Sequence, residues 1–193
     1  MKTWVAALAA LAVVLLVACS TNEAKSYLPK ASELCCHGNW QVSDALVDEG
    51  KAEGNCSDID ERFQSAESCW YRFYFNNRVR PGEPRDLYVW VAVMETEADI
   101  SKWLPGYEPH MSGMDYEALP FAPLVGEDAR TWSIREDGVA IVARLRGSVA
   151  AFKRDNLAVV VYAMEGSTDE RNAMFESVDE ALLDRIIGYR SVD

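Results

Sequence analysis

The fold is decided by an apolar run rich in β-branched and aromatic residues, Leu87-Tyr88-Val89-Trp90-Val91-Ala92-Val93-Met94. Such residues favour strands, and a strand that is apolar at successive positions is usually covered on both of its faces. The aromatic run Cys69–Phe75 reads as a second strand, and the turn signal Pro81-Gly82-Glu83-Pro84 separates the two. Together they predict an antiparallel hairpin in a sheet that is covered on both sides.

Further elements are predicted on both sides of this hairpin. Thr96 is expected to cap a helix whose apolar stripe is Ile100, Trp103 and Leu104. A short helix is expected between Gln41 and Glu49, and Phe63 is expected to be the buried anchor of residues 50–68. Four more strands follow, at Arg130–Arg135, Val139–Leu145, Ser148–Arg154 and Leu157–Ala163. Their breaks are Glu136-Asp137-Gly138, Arg146-Gly147 and Asp155-Asn156; the second is either a turn or a bulge within one long strand.

The chain closes with a helical pattern. Ser167 and Glu170 fit a capping box. Apolar residues then recur at helical spacing, at Phe175, Val178, Leu182, Ile186 and Tyr189. The sequence therefore predicts an α+β fold, a mostly antiparallel twisted sheet packed against helices and stapled by disulfides.

The N-terminal segment has the layout of an export signal. Lys2 is followed by an apolar run from Trp4 to Ala18, and the run ends in Leu16-Val17-Ala18-Cys19. This ending resembles a bacterial lipobox, which implies a lipid such as palmitate on Cys19 and cleavage before it. The expected organisation is a signal peptide at 1–18, a lipidated cysteine and flexible tether at 19–32, and one domain at 33–193. The location is then the extracytoplasmic face of the cell membrane.

Composition limits the partners. Removal of residues 1–18 leaves 175 residues (193 − 18), enough for one domain with its own core. The net charge of −12 becomes −13 (−12 − 1) because Lys2 is lost. Such a balance argues against nucleic acid as a partner, because the phosphates would be repelled. The expected contacts are the membrane through the N-terminal lipid and an envelope protein or a small-molecule ligand.

Four cysteines remain after Cys19: Cys35, Cys36, Cys56 and Cys69. An even number in an exported chain predicts two disulfides. A bond between the neighbours Cys35 and Cys36 is disfavoured because it would be strained. The prediction is that the 35/36 pair is linked to both Cys56 and Cys69. A metal site that includes His37 is the alternative, but the spacing lacks a Cys-x-x-Cys, so neither metal nor cofactor is expected.

Several of these segments together resemble a family of uncharacterised actinobacterial cell-surface lipoproteins. The segments are the lipobox, a cysteine before the short helix, Cys69-Trp70 opening a strand, Val125-Gly126-Glu127-Asp128-Ala129, and Ala150 to Val161 with its Arg154-Asp155-Asn156. The family is similar to the extracellular sensor-type domain of mycobacterial receptor kinases. The resemblance covers most of residues 33–189 and implies a twisted antiparallel sheet with helices, a cleft and disulfides. It implies no catalytic residues.

The sequence carries no recognisable catalytic motif. The histidines are His37 and His110, and no marked nucleophile accompanies either of them. Asp58, Asp60 and Glu61 form an acidic run that lacks the spaced oxygens and the glycine of a calcium loop. Paired carboxylates for glycoside cleavage stay open, because sequence spacing does not give their distance in space.

The remaining candidates for ligand contact lie in residues 103–121. Pro105, Pro109 and Pro120 prevent a long regular element there. The segment carries the candidate ligand-binding residues Trp103, Tyr107, His110, Tyr116 and Phe121. They either cover the sheet or border the main cleft.

Two functions fit this sequence. The first is a membrane-anchored, non-enzymatic ligand- or protein-binding module that resembles a sensor domain. The alternative is a hydrolase acting on cell-envelope material, and convergence of two acids in one cleft would favour it.

Overall fold

The computed structural model of the protein describes residues 23–36, 39–42, 53–56, 63, 65–110, 113–120, 122–136 and 145–190. The expected signal peptide and Cys19 lie outside the described residues, as do most of the expected helix at 41–49 and most of the expected strand at 139–145. None of the described helices is long and apolar enough to cross a membrane.

Three helices and eight strands make up the described part of the chain. The helices are α1 (Glu23–Tyr27), α2 (Glu97–Gly106) and α3 (Thr168–Arg190), and a 3₁₀ turn spans Ala31–Glu33. The strands are β1 (Trp40–Gln41), β2 (Glu53–Asn55), β3 (Ser68–Asn76), β4 (Asp86–Val93), β5 (Met114–Ala118), β6 (Glu127–Glu136), β7 (Leu145–Arg154) and β8 (Leu157–Met164).

All eight strands belong to one antiparallel sheet. The order is β1-β3-β4-β8-β7-β6-β5, and β2 pairs with the same edge of β3 as β1 does. The hairpin of β3 and β4 is confirmed, with Tyr71 opposite Trp90. This arrangement confirms the α+β fold with a mostly antiparallel sheet. Its central strands β4 and β8 read as continuous apolar runs because both of their faces are packed.

The two faces of the sheet pack against different helices. On the α3 face, Val89, Val91 and Val159 pack with residues of α1 and α3. On the α2 face, Ala92, Ala158 and Val160 pack with α2 and with Phe63, which is 1% exposed. Successive residues of a strand point to opposite faces, so β4 feeds both clusters. Phe63 is thus confirmed as a buried anchor.

Helix α2 starts where the sequence predicts. The Thr96 hydroxyl accepts a hydrogen bond from the Asp99 backbone N–H (3.3 Å) and so caps the helix. Ile100 and Leu104 are buried against the sheet. Lys153 of β7 lies near Glu97 (Nζ–Oε1, 3.2 Å), which holds the first turn over the end of β7. The helix therefore covers only the half of this face nearest to the turn between β7 and β8.

Helix α3 is also confirmed. The Ser167 hydroxyl accepts a hydrogen bond from the Glu170 N–H (3.2 Å), and Phe175, Val178 and Leu182 are fully buried. The side chain of Tyr189 is not among those described.

The Arg146-Gly147 break is a bulge within the single strand β7, because the register against β6 shifts there. A Cβ at Gly147 would lie 2.4 Å from the carbonyl oxygen of Ala163 in β8, so glycine is required.

The boundary of the domain needs correction at the N-terminus. Residues 23–32 were expected to belong to a flexible tether, but α1 and the following turn are packed on the α3 face. Ala24 and Leu28 are 0% and 3% exposed. The Ala24 N–H donates to the Ser68 hydroxyl (3.1 Å), and the Tyr74 hydroxyl donates to the Pro29 carbonyl (2.6 Å). The segment thus runs along β3, from its first residues towards its last.

The expected disulfide connectivity is wrong. All four cysteines are bonded, but the pairs are Cys35–Cys36 and Cys56–Cys69. The sheet itself separates the pairs: Cys56 and Cys69 belong to the cluster on the α2 face, whereas Cys35 and Cys36 pack against the α3-face cluster. The Cys56 N–H also donates to the Cys69 carbonyl (3.1 Å), which brings these two residues side by side.

Candidate functional site

The tip of the β3–β4 hairpin, residues 77–85, is held in a defined shape by two side chains. Asn76 is buried; its Nδ2 donates to the Glu83 carboxylate (3.3 Å), and its Oδ1 accepts from the Arg78 N–H (3.1 Å). Glu83 also accepts a hydrogen bond from the Arg80 N–H (2.9 Å). These bonds satisfy backbone groups that would otherwise need water, so the tip is an ordered element.

A second turn supports the hairpin tip. The Ser167 N–H donates to the Gly82 carbonyl (2.7 Å), and the Arg85 N–H donates to the Met164 carbonyl (3.0 Å). Gly166 has φ +74°, and a Cβ there would lie 2.6 Å from the Pro84 nitrogen. Glycine is therefore needed for the turn between β8 and α3 to approach the hairpin this closely.

An open groove of about 710 Å³ lies where these two turns meet. It lies at the end of the α2 face that helix α2 leaves uncovered, and this volume is within the range of small-molecule sites. Its lining residues combine aromatic walls with charged and amide groups: Phe73, Phe75, Asn76, Asn77, Val79, Arg85, Asp86 and Glu165. We call this the hairpin groove.

A row of aromatic rings runs from the hairpin groove towards the middle of the sheet. The ring centroids of Phe73 and Tyr88 are 4.6 Å apart, and those of Tyr88 and Trp90 are 6.3 Å apart. Trp90 then meets Tyr162 edge to face at 4.7 Å. Phe73, Tyr88 and Trp90 are each only partly buried. Part of this aromatic surface thus remains accessible to a ligand.

Burial changes the acid–base behaviour of the groove. It raises the pKa of Asp86 above its usual value; Arg85 opposes this rise and the negative charge of Glu165 adds to it. Burial and the Asp86 carboxylate also raise the pKa of Tyr88. The Tyr88 phenol therefore stays protonated at neutral pH and can donate a hydrogen bond.

The hairpin tip carries three arginines, of which Arg85 lines the groove. Arg78, Arg80 and Arg85 are exposed, and the described part of the chain supplies none of their side chains with a hydrogen bond or ion pair. The other arginines with described side chains all have such partners: Arg72, Arg130, Arg135, Arg154, Arg171 and Arg185. A guanidinium offers a fork of donors suited to carboxylate and phosphate.

The residues predicted from sequence as ligand contacts lie elsewhere. Tyr107 is 2% exposed, and its hydroxyl lies 3.2 Å from that of Tyr162. Its ring packs with those of Trp103 and Trp132 at 4.9 and 5.8 Å, and Trp103 also contacts Phe63. These aromatic residues cover the sheet.

The other three candidates are dispersed. His110 is exposed, Tyr116 is partly buried on β5, and Phe121 is outside the described residues. Two smaller cavities of about 390 Å³ each are lined in part by residues 103–121, among them Pro105 and Leu119, but by none of the five candidates as far as these are described. Among the described residues, the predicted contact residues therefore do not share a cavity with one another.

The described residues offer no group of three or more His, Cys, Asp or Glu side chains positioned to hold a metal ion. The lining residues that the structure describes include no histidine, serine or cysteine. Its chemistry is that of aromatic walls, amides, two carboxylates and an arginine.

The described residues form an α+β fold with one antiparallel sheet, and the hairpin groove lies at one end of this sheet. No known protein family, curated protein or solved structure matches the chain. The resemblance to surface lipoproteins therefore stays a prediction that rests on short motifs.

Sequence reasoning missed the hairpin groove. The signal Pro81-Gly82-Glu83-Pro84 predicts only a turn between two strands. The available signal was the concentration of Arg78, Arg80 and Arg85 in one short loop of an acidic chain.

Proposed function

We propose that this protein is a lipid-anchored, extracytoplasmic binding module without enzymatic activity, and that the hairpin groove is its ligand site. The lipobox at Leu16–Cys19 supports the anchor, and two bonded cysteine pairs fit an oxidising compartment outside the cytoplasm. The segment that follows Cys19 packs onto the domain from Ala24 onwards, which holds the domain close to its anchor.

One observation carries the proposal. The hairpin groove combines partly exposed aromatic walls with Arg85, and it adjoins the exposed Arg78 and Arg80 of the same tip, whose side chains make no hydrogen bond or ion pair among the described residues. Solvent-exposed aromatic and arginine side chains are the types enriched where proteins bind partners. The hydrogen bonds of Asn76, Glu83 and Ser167 keep both turns in place, so the site is formed before a ligand arrives.

Site-specific crosslinking on intact cells tests this proposal. A photo-reactive residue at Val79, which lines the groove and is 43% exposed, is compared with one at Leu124, which is 93% exposed on a loop away from the groove. A discrete adduct at Val79 that is absent at Leu124 is the expected result. Equal labelling at both positions, or an adduct at Leu124 alone, would remove the hairpin groove as the site.

A hydrolase acting on envelope polysaccharide is the second candidate, and one observation favours it. Two carboxylates, Asp86 and Glu165, line the same groove, and burial raises the pKa of Asp86. A glycosidase needs such a pair, with one acid protonated to serve the leaving group.

Two variants separate the candidates. Asp86→Asn and Glu165→Gln should each abolish the release of reducing ends from purified envelope polysaccharide if the groove is catalytic. If it only binds, the wild-type protein releases none, and both variants keep crosslinking at Val79.

A further inference from the structure

The position of the hairpin groove relative to the lipid anchor limits what can reach it. The Ala24 N–H donates to the hydroxyl of Ser68, the first residue of β3, whereas the groove lies at the other end of that strand, from Phe73 to Asn76 and the turn that follows. Eight steps of about 3.3 Å place these two ends about 26 Å apart. Cys19 is four residues before Glu23, a reach of at most about 14 Å. A lipid on Cys19 therefore anchors the domain near the Ser68 end of the sheet, the end opposite to the groove.

The charges around the hairpin groove indicate which kind of ligand it can bind. The chain carries a net charge of −12, so its long-range field repels anions. Against this background, Arg78, Arg80 and Arg85 are exposed on the hairpin tip, and the described residues give their side chains no hydrogen bond or ion pair. Arg85 lines the groove, where its charge also acts on Asp86. Unpaired arginines confer no stability through ion pairs, but they provide bidentate donors for carboxylate or phosphate.

The acidic groups of the groove do not neutralise the positive charge of these arginines. Glu83 is engaged by Asn76 and by the Arg80 backbone. Asp86 is partly buried, and the charge of Arg85 acts on its carboxylate without forming an ion pair among the described residues. Glu165 lies on the facing turn. The arginines are thus the charged groups that a ligand entering from solvent meets on the hairpin side.

We infer that the hairpin groove binds a segment of an anionic envelope polymer, whose carboxylate or phosphate groups pair with Arg78, Arg80 and Arg85 while Phe73 and Phe75 pack against its carbon skeleton. This inference rests on the proposed binding function. It commits to a polymer outside the anchoring membrane, because the groove lies at the end of the sheet opposite to the anchored end.

A matched pair of probes tests whether binding requires negative charge on the ligand. The mature lipidated protein in nonionic detergent micelles is titrated calorimetrically with hexagalacturonate and with its fully methyl-esterified form, which keeps the rings and loses the charges. Inorganic polyphosphate distinguishes phosphate from carboxylate recognition. We expect either anion to bind, with an affinity that falls by about tenfold or more between low and high salt. The ester should not bind.

Substitutions of the three arginines test whether the hairpin tip binds the anion. Arg78→Gln, Arg80→Gln and Arg85→Gln remove exposed side chains without described partners, so each should fold normally and lower the affinity by about 3–30-fold. Lys102→Gln is the matched control: its side chain is 78% exposed on α2, and the substitution changes the net charge equally. It should leave the affinity within about twofold.

Vesicles test whether the arginines bind a separate anionic polymer or the anionic headgroups of the membrane. The lipidated protein is placed in phosphatidylcholine or phosphatidylglycerol vesicles, and the affinity for the anionic probe is compared. The groove lies beyond a Debye length of about 8 Å from the surface, so the affinity should be the same in both. A large loss in phosphatidylglycerol would show that the arginines engage the membrane itself and would overturn the inference.

Failure of this inference can be distinguished from failure of the binding function. Equal binding of the ester and the acid, or failure of both anions to bind while Val79 still crosslinks on cells, would overturn the anionic ligand and leave the groove as a binding site. Failure of both the titrations and the Val79 crosslink would overturn both.

Discussion

Glu53 on β2 connects three parts of the domain that sequence reasoning kept apart. Its carboxylate lies 2.8 Å from Lys25 Nζ of α1 and 2.8 Å from Arg72 Nε of β3. Burial alone would raise the pKa of Glu53. The hydrogen bond from Lys25, together with the positive charge and the hydrogen bond of Arg72, outweighs burial and holds this pKa below its ordinary value. We predict that Glu53→Gln loosens the attachment of residues 23–34 to the sheet.

The expected loss of stability follows from how exposed the paired side chains are. Glu53 and Arg72 side chains are each 16% exposed, so their pair lies between a surface pair worth up to about 1 kcal/mol and a buried hydrogen bond to charge worth up to about 3 kcal/mol. Lys25 is 39% exposed and adds little. A loss of about 1–2 kcal/mol at neutral pH is expected, or roughly 2–8 °C in Tm for a domain of this size.

The pH dependence gives the sharper test. A carboxyl group with a lowered folded-state pKa contributes stability that is fully present above its ordinary value of 4.5 and is lost as the pH falls through the folded-state value. Denaturant unfolding should therefore show the wild type and Glu53→Gln converging in acid. Glu117→Gln is the control, because its partner Arg135 and Glu117 itself are 48% and 60% exposed, and it should cost less than about 0.5 kcal/mol. A Glu53→Gln cost no larger than that of the control, or one that is unchanged in acid, would refute the reasoning.

Three further predictions follow from the same structure. Non-reducing peptide mapping should recover Cys56 linked to Cys69 and a Cys35–Cys36 pair within one peptide; any peptide joining the two pairs would contradict the structure. Cys19→Ser should leave an unprocessed precursor or release the protein from the membrane, and intact mass of the wild type should show acyl chains, whereas an unmodified N-terminus at another residue would exclude the anchor. Tyr107→Ala should lower the free energy of unfolding by about 3–5 kcal/mol because the ring is buried, whereas the exposed His110→Ala should change it by less than about 0.5 kcal/mol; neither should alter Val79 crosslinking per folded molecule.

The sheet could be predicted because its strands carry local signals. Leu87–Met94 and Leu157–Ala163 are apolar runs of strand length, and the caps Thr96 and Ser167 mark the starts of α2 and α3 as expected. Phe63 was recognisable because a large apolar residue in a charged segment has few alternatives to burial.

The disulfides and the N-terminal segment were mispredicted for a shared reason. Which cysteine meets which depends on the face of the sheet that each occupies, and Cys36 and Cys69 lie on opposite faces. Residues 23–32 contain few apolar side chains, yet Ala24 and Leu28 are buried because β3 offers bonded partners alongside them. Composition does not report such long-range pairing.

The groove could not be predicted because it joins distant parts of the chain. Glu165 follows β8, whereas Phe73 and Asp86 belong to the first hairpin, and they meet only through the pairing of β4 with β8. Trp103 and Tyr107 looked like contacts because prolines surround them. Helix α2 nevertheless continues through Pro105, and this places both rings on the sheet.

Amide chemical-shift mapping tests the location of the site most directly. The ¹⁵N-labelled mature protein is titrated with the anionic hexasaccharide or polyphosphate, and shift changes are followed along the chain. We predict that the largest changes fall in residues 73–86 and at Glu165, which line or support the hairpin groove. Changes concentrated in residues 103–121, with 73–86 unaffected, would contradict the account and return the site to the proline-rich segment.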